Sequence, residues 1–142
     1  MTTQRWVLVV DDDPSIVALL TDLLESVGCS VTSATDAMQA SIQAQTLKPI
    51  LVITDMMMPG YGTGADVLKR LRADPNLKGV PVVVLTGMLP DQARSVLPAN
   101  DPLLRLIFKP IDWKVLYGVI QPVLQAYGSP PGPPSPSPGR KG

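Results

Sequence analysis

The chain contains no histidine. That absence excludes zinc sites built on His, His-based catalytic triads, and any phosphohistidine formed on this chain itself. A single cysteine, Cys29, leaves no internal disulfide to form, and beside Gly28 in an apolar stretch it reads more readily as a core thiol than as a reactive one. Neither sign of charge prevails: twelve Lys and Arg balance twelve Asp and Glu, and no basic run marks a nucleic-acid face. No apolar run approaches the roughly 18 residues of a membrane span, and the N-terminus lacks a basic region leading into a secretory signal. The expectation is a cytoplasmic protein with no membrane or nucleic-acid partner.

What the chain does have is 142 residues with an apolar fraction of 45%, enough for one domain with a real core. Its most informative stretch is Trp6-Val7-Leu8-Val9-Val10-Asp11-Asp12-Asp13. A β-branched apolar run reads as a buried parallel strand, so the three acids fall at its carboxyl end, where open α/β sheets place their ligand sites. Neighbouring carboxylates repel one another and resist desolvation, which points to a hard divalent metal. A solvated turn capping the next helix is the alternative, and the acids alone do not separate the two. A second run over residues 50–54 ends in Asp55. Strands one and three of a sheet ordered 2-1-3-4-5 are neighbours, roughly 4.8 Å apart, so Asp55 joins the acid cluster. Two further strand-like runs, over residues 80–85 and 104–108, end in Thr86 and Lys109, each suited to phosphate.

Apolar spacing supplies the helices. Ile16, Leu19, Leu20, Leu23, Leu24 and Val27 recur at three- and four-residue steps, with Asp13 as N-cap, Pro14 as the first helical residue and Gly28 past the end. Strand two is expected over residues 30–34, and further helices over 36–47, 65–73 and 91–97. A last helix begins near Asp112, which Pro122 should kink or end early. Alternating strands and helices imply an α/β domain of the flavodoxin-like, doubly wound type, a five-stranded parallel sheet with helices on both faces. Domain 1–128 carries this fold. Residues 129–142 hold six prolines among Gly and Ser and are expected to be a disordered tail; their Pro-x-x-Pro spacings offer an aromatic-groove ligand as a lesser reading.

Asp11-Asp12, Asp55 followed by Met58-Pro59, Thr86, and Lys109-Pro110 resemble, in order and spacing, the receiver domain of two-component response regulators, chemotaxis receivers among them. The match covers about residues 5–127. Any one of Asp55, Thr86 and Lys109 has an ordinary reading as a capping acid, a turn hydroxyl or a strand-end lysine; five groups on four strand ends do not. The resemblance implies that Asp55 is the phosphoacceptor and that Mg²⁺ or Mn²⁺ is held by Asp11, Asp12, Asp55 and the Met57 carbonyl. It implies that Lys109 and Thr86 bind phosphoryl oxygens, aided by the backbone N–H groups of Met56 and Gly87, and that the Lys109-Pro110 bond is cis. Such a protein is no enzyme in the ordinary sense, since it catalyses only its own phosphorylation and dephosphorylation. A phosphoprotein in a phosphorelay is implied, with a sensor histidine kinase or phosphotransfer protein as donor and a downstream protein as target.

The chain also departs from the family pattern. Gly60-Tyr61-Gly62-Thr63-Gly64 replaces a shorter acidic-glycine turn, Leu106 stands where a switch aromatic is usual, and Pro98-Ala99-Asn100-Asp101-Pro102 replaces a small-residue turn. Met57 and Met88 occupy the positions that flank the hydrolytic water and offer it no hydrogen bond. Two alternatives accompany the single-domain receiver reading. One is a pseudo-receiver interaction module that is never phosphorylated. The other is a haloacid dehalogenase-like phosphohydrolase built on Asp11-x-Asp13, for which the acidic pair after the lysine is incomplete, with only Asp112 present.

Overall fold

The computed structural model describes residues 5–58 and 62–126. The proposed tail over 129–142, its boundary at 128, and Pro59, Gly60 and Tyr61 lie outside the described residues. Strands β1 (Trp6–Val10), β2 (Ser30–Ala34) and β3 (Leu51–Asp55) alternate with helices α1 (Pro14–Glu25) and α2 (Ala37–Leu47). Two short strands, β4 (Met57–Met58) and β5 (Gly62–Thr63), precede α3 (Gly64–Ala73), β6 (Val82–Thr86), α4 (Pro90–Val96), β7 (Leu104–Phe108) and α5 (Trp113–Ala126). The five long strands are parallel in the order β2-β1-β3-β6-β7, which is the expected 2-1-3-4-5 sheet.

Period-two alternation divides the core between the two faces of that sheet. Leu8, Val10, Val52, Val82 and Val84 point to one side, against Ala40 and Ala44 of α2 and Val67, Leu68 and Leu71 of α3. Val7, Val9, Leu51, Ile53, Val83 and Leu85 point to the other, against Leu20 and Leu24 of α1 and Leu116, Ile120 and Leu124 of α5. Strands β3 and β6 are buried along their whole length, which explains their unbroken apolar sequence. Each fully buried leucine contributes about 1.5–3 kcal/mol, so these two layers hold the fold. Cys29 lies in the second layer, and burial pushes its thiol up from the ordinary range, as fits a core residue.

The helix ends follow local chemistry. Asp13 caps α1 by accepting the Ser15 N–H at 2.9 Å, with Pro14 as the first helical residue. That helix stops at Glu25, so Val27 reaches the core from the following turn, where Gly28 takes φ 91°. Asp36 caps α2 through the Gln39 N–H at 2.8 Å.

Of the two outcomes expected at Pro122, an early end is not seen: α5 continues four residues beyond it to Ala126. The proline costs the helix one N–H, but Pro122 and Gly118, the residue one turn earlier, both face solvent, where water can serve the freed carbonyl. Burial of Leu116, Ile120 and Leu124 on the opposite side holds the helix through the proline. Among the described residues no helix is long and apolar enough to cross a membrane.

Candidate functional site

Sheet register brings the expected residues together. Val10 pairs with Ala34 on one side and Thr54 on the other, so the next residue, Asp11, stands beside Asp55 at the carboxyl edge. Oxygens of Asp11, Asp12 and Asp55 lie within 4.8 Å of one another. Asp11 and Asp55 are buried, at 3% and 6% exposure, while Asp12 is open to solvent.

These carboxylates fit a hard cation. Asp11 Oδ1 accepts the Asp13 N–H at 2.9 Å, but Oδ2 is buried with no hydrogen-bond partner. A buried carboxylate oxygen without a hydrogen-bond partner, on a residue grouped with two further carboxylates, suits a hard, oxygen-seeking ion. Without an ion, burial drives the Asp11 pKa up to about 6; the charges of Asp55 and Asp12 add to this, while the Asp13 N–H and Lys109 oppose it. Asp13 is turned out of the cluster. Its carboxylate bonds the Ser15 hydroxyl at 2.6 Å and Ser15 N–H, and these bonds hold its pKa below the usual range. It is a cap, as expected.

On the other flank, Lys109 Nζ lies 2.8 Å from Asp55 Oδ1. Partial burial alone would lower the lysine pKa, but the hydrogen bond and charge of Asp55, joined by Asp11 and Asp13, raise it, so the ammonium is firmly charged. The Lys109-Pro110 bond is cis. Thr86 ends β6, next to β3, with its side chain fully buried. Its Oγ1 accepts the Met88 N–H at 2.9 Å, which leaves the hydroxyl proton free to donate elsewhere.

One expected donor is engaged elsewhere. The Met56 N–H donates to the Leu85 carbonyl at 2.8 Å, extending the β3–β6 ladder by one residue, so an anion would have to compete for it. The Met56 side chain is in the core and Met57 is half exposed, at 51%, so these two thioethers do not share an environment. Gly87 is exposed with open space beside its Cα. Met88 is only partly buried and packs against the core layer.

Three supporting residues escaped the sequence reading. Gly64 N–H donates to the Met56 carbonyl at 2.9 Å, and a Cβ on Gly64 would meet the Asp55 carbonyl oxygen at 2.8 Å. Only glycine lets α3 begin this close to the backbone of Asp55. Thr63 and Asp66 form a capping box that fixes the same helix start, and Met57 pairs with Thr63 in a small antiparallel hairpin. The Thr63-x-x-Asp66 spacing was a readable signal; the Gly64 contact, being non-local, was not.

The model of the response regulator receiver domain family matches residues 7–121. The chain belongs to this family. Similar curated proteins include the DNA-binding response regulator MtrA of Mycobacterium tuberculosis, 38% identical over 115 residues, with 81% of this chain and 48% of that protein covered. The DNA-binding dual master transcriptional regulator RpaA of Synechocystis is 31% identical over 121 residues, covering 84% and 48%. The chain thus spans about half the length of these relatives. Among solved structures, the chemotaxis response regulator CheY4 of Vibrio cholerae superposes with a TM-score of 0.75 at 29% identity, covering 86% of this chain and 100% of that one. A receiver domain of a two-component response regulator is a signalling module, and the family match sets aside the haloacid dehalogenase-like reading.

Proposed function

We propose that this receiver accepts a phosphoryl group on Asp55 from a phosphohistidine of a sensor histidine kinase or phosphotransfer protein, in the cytoplasm, and signals through protein contacts. The observation that carries the reading is the position of Asp55, buried between the Asp11 and Asp12 carboxylates and the Lys109 ammonium at 2.8 Å. A free Asp55 oxygen attacks phosphorus in line as the phosphorus–nitrogen bond to the donor imidazole breaks, and the imidazole leaves with that electron pair. Lys109 moves from the carboxylate to a phosphoryl oxygen, and the Thr86 hydroxyl donates to another. Asp11, Asp12, Asp55 and the Met57 carbonyl would hold Mg²⁺ or Mn²⁺, which when bound supplies positive charge against the repulsion between carboxylate and phosphate. The Gly87 N–H would complete the anion site, and that of Met56 would do so on leaving Leu85.

The DNA binding named for the mycobacterial and cyanobacterial relatives is not carried over, because the match covers about half of those proteins. Incubation of the full chain with acetyl phosphate and Mg²⁺, followed by intact-mass measurement, tests the reading. One added, acid-labile phosphoryl group is expected. An unchanged mass would instead support an unphosphorylated interaction module.

A further inference from the structure

A groove of about 800 Å³ lies between α3 and the segment leading from α4 into β7, and none of its lining residues belongs to the acid cluster. One wall is formed by Pro98, Asn100, Asp101 and Pro102, from the stretch that departs from the family pattern and for which phosphoryl transfer has no use. The wall is pinned in place. Arg72 Nε meets Asp101 Oδ2 at 2.7 Å, its Nη1 donates to the Val80 carbonyl at 2.7 Å, and Asp101 Oδ1 accepts the Leu103 N–H at 3.0 Å. A groove held by a mostly buried ion pair and two backbone contacts is preformed, which lowers the ordering cost of binding.

The groove combines apolar surface with unanswered positive charge. Leu68 is buried, while Val96 and Leu103 remain 50% and 38% exposed despite being apolar. Of the charged lining residues, Arg72 and Asp101 neutralise each other and Asp66 is engaged in the cap of α3. Among the described residues, Lys69 and Lys78 have no ion-pair partner.

We propose that this groove docks an acidic amphipathic peptide segment of a partner protein. Its bulky apolar side chains cover Val96 and Leu103, and its carboxylates meet Lys69 and Lys78. A nucleic acid is disfavoured by the same geometry, because two free lysines beside Asp66 neutralise few phosphates and the apolar surface offers the backbone nothing. The docked segment lies along α3, whose first residue touches the backbone of Asp55, so it rests on an element that begins at the acceptor. The docking surface does not depend on the phosphotransfer reading.

Selection of short random peptides displayed on phage against the full chain tests the proposal, with affinities of the recovered peptides measured by titration. The enriched peptides should carry Asp or Glu flanking bulky apolar residues. Their affinity should fall at least about tenfold for the double variant Lys69→Glu and Lys78→Glu, two favourable charge contacts having been reversed, and should be unchanged for Lys114→Glu on α5. Unchanged far-ultraviolet circular dichroism and an unchanged Mg²⁺-induced rise in Tm verify that the double variant is folded; if it is not, Lys69→Ala with Lys78→Ala takes its place, with a smaller loss expected. The proposal is overturned if no peptide is enriched, if enriched peptides are basic or bind the double variant as tightly, if a DNA duplex displaces them from the groove, or if the lysines instead govern self-association of the chain.

Discussion

Replacing Gly64 with alanine separates a close backbone approach from ordinary helix propensity. On propensity alone, Gly→Ala in a helix stabilises by up to about 1 kcal/mol. At Gly64, however, the new methyl would lie 2.8 Å from the Asp55 carbonyl oxygen, 3.2 Å from Met56 Cα and 3.4 Å from Thr54 Cγ2. Two of these three neighbours are backbone of β3 and the residue just after it, and cannot swing aside as a side chain would. Relief requires α3 and the end of β3 to part by some tenths of an ångström, an overpacking cost of about 1–3 kcal/mol. The net expectation is a loss of about 1–2 kcal/mol, or roughly 4–8 °C in Tm for a domain of this size. Displacing the acceptor backbone should also slow phosphorylation by acetyl phosphate about tenfold or more, given how steeply such steps depend on alignment. Gly118→Ala is the control, because nothing lies within 4 Å of its Cβ position in α5 and the same substitution should raise Tm. Thermal melts and phosphorylation rates of both variants provide the assay. A Gly64→Ala protein as stable and as fast as wild type would refute the reasoning.

Several other perturbations have defined outcomes. The Asp11 pKa near 6 lies above its ordinary 3.8, so the metal-free fold holds an extra proton between those values and loses stability as pH rises through that window. Asp11→Asn should therefore raise the metal-free Tm at neutral pH, change it little below about pH 4, and remove most of the stabilisation by Mg²⁺; equal Tm differences at both pH values would contradict this. Lys109→Ala should leave Mg²⁺ binding largely intact while impairing phosphorylation, and a parallel loss of both would show that the lysine supports the acids structurally. Arg72→Ala breaks the Asp101 pair and frees the Val80 carbonyl, for an expected loss of about 2–3 kcal/mol in denaturant melts. Because Arg72 lowers the Asp101 pKa, that contribution is present above the ordinary carboxylate range and lost as pH falls through it. Met57, half exposed in β4, cannot orient a water, so Met57→Asn should speed loss of the phosphoryl group. Met88→Glu should act less strongly, since Met88 packs against the core; faster decay in wild type than in both variants would defeat the idea.

Much of this architecture was legible because its signals are local. Buried parallel strands leave continuous aliphatic runs, such as Val82 to Leu85, and the acids, threonine and lysine follow directly in sequence. Asp13 and Asp36 announce helix starts through bonds two or three residues away. What escaped depends on partners distant in the chain. The proline rule is local and predicts a kink or an early end at Pro122, whereas burial of Leu116, Ile120 and Leu124 carries α5 on to Ala126. The Met56 N–H bond to the Leu85 carbonyl has no sequence signal, because nothing in the sequence reveals that the β3–β6 ladder runs one residue further. The β4–β5 hairpin has strands of two residues, too short for an alternation to show. The tether from Arg72 to Asp101 spans 29 residues and gives no pattern at all.

The most direct measurement of the central claim locates the phosphoryl group. Wild-type protein and Asp55→Asn would be treated with acetyl phosphate and Mg²⁺, reduced with borohydride, which converts an aspartyl phosphate to homoserine, digested, and sequenced by tandem mass spectrometry. Homoserine at residue 55 of the wild type, dependent on Mg²⁺ and absent from Asp55→Asn, is the expected result. Homoserine at residue 11, 12 or 13, or its complete absence from phosphodonor-treated wild type, would contradict the assignment of Asp55 as acceptor.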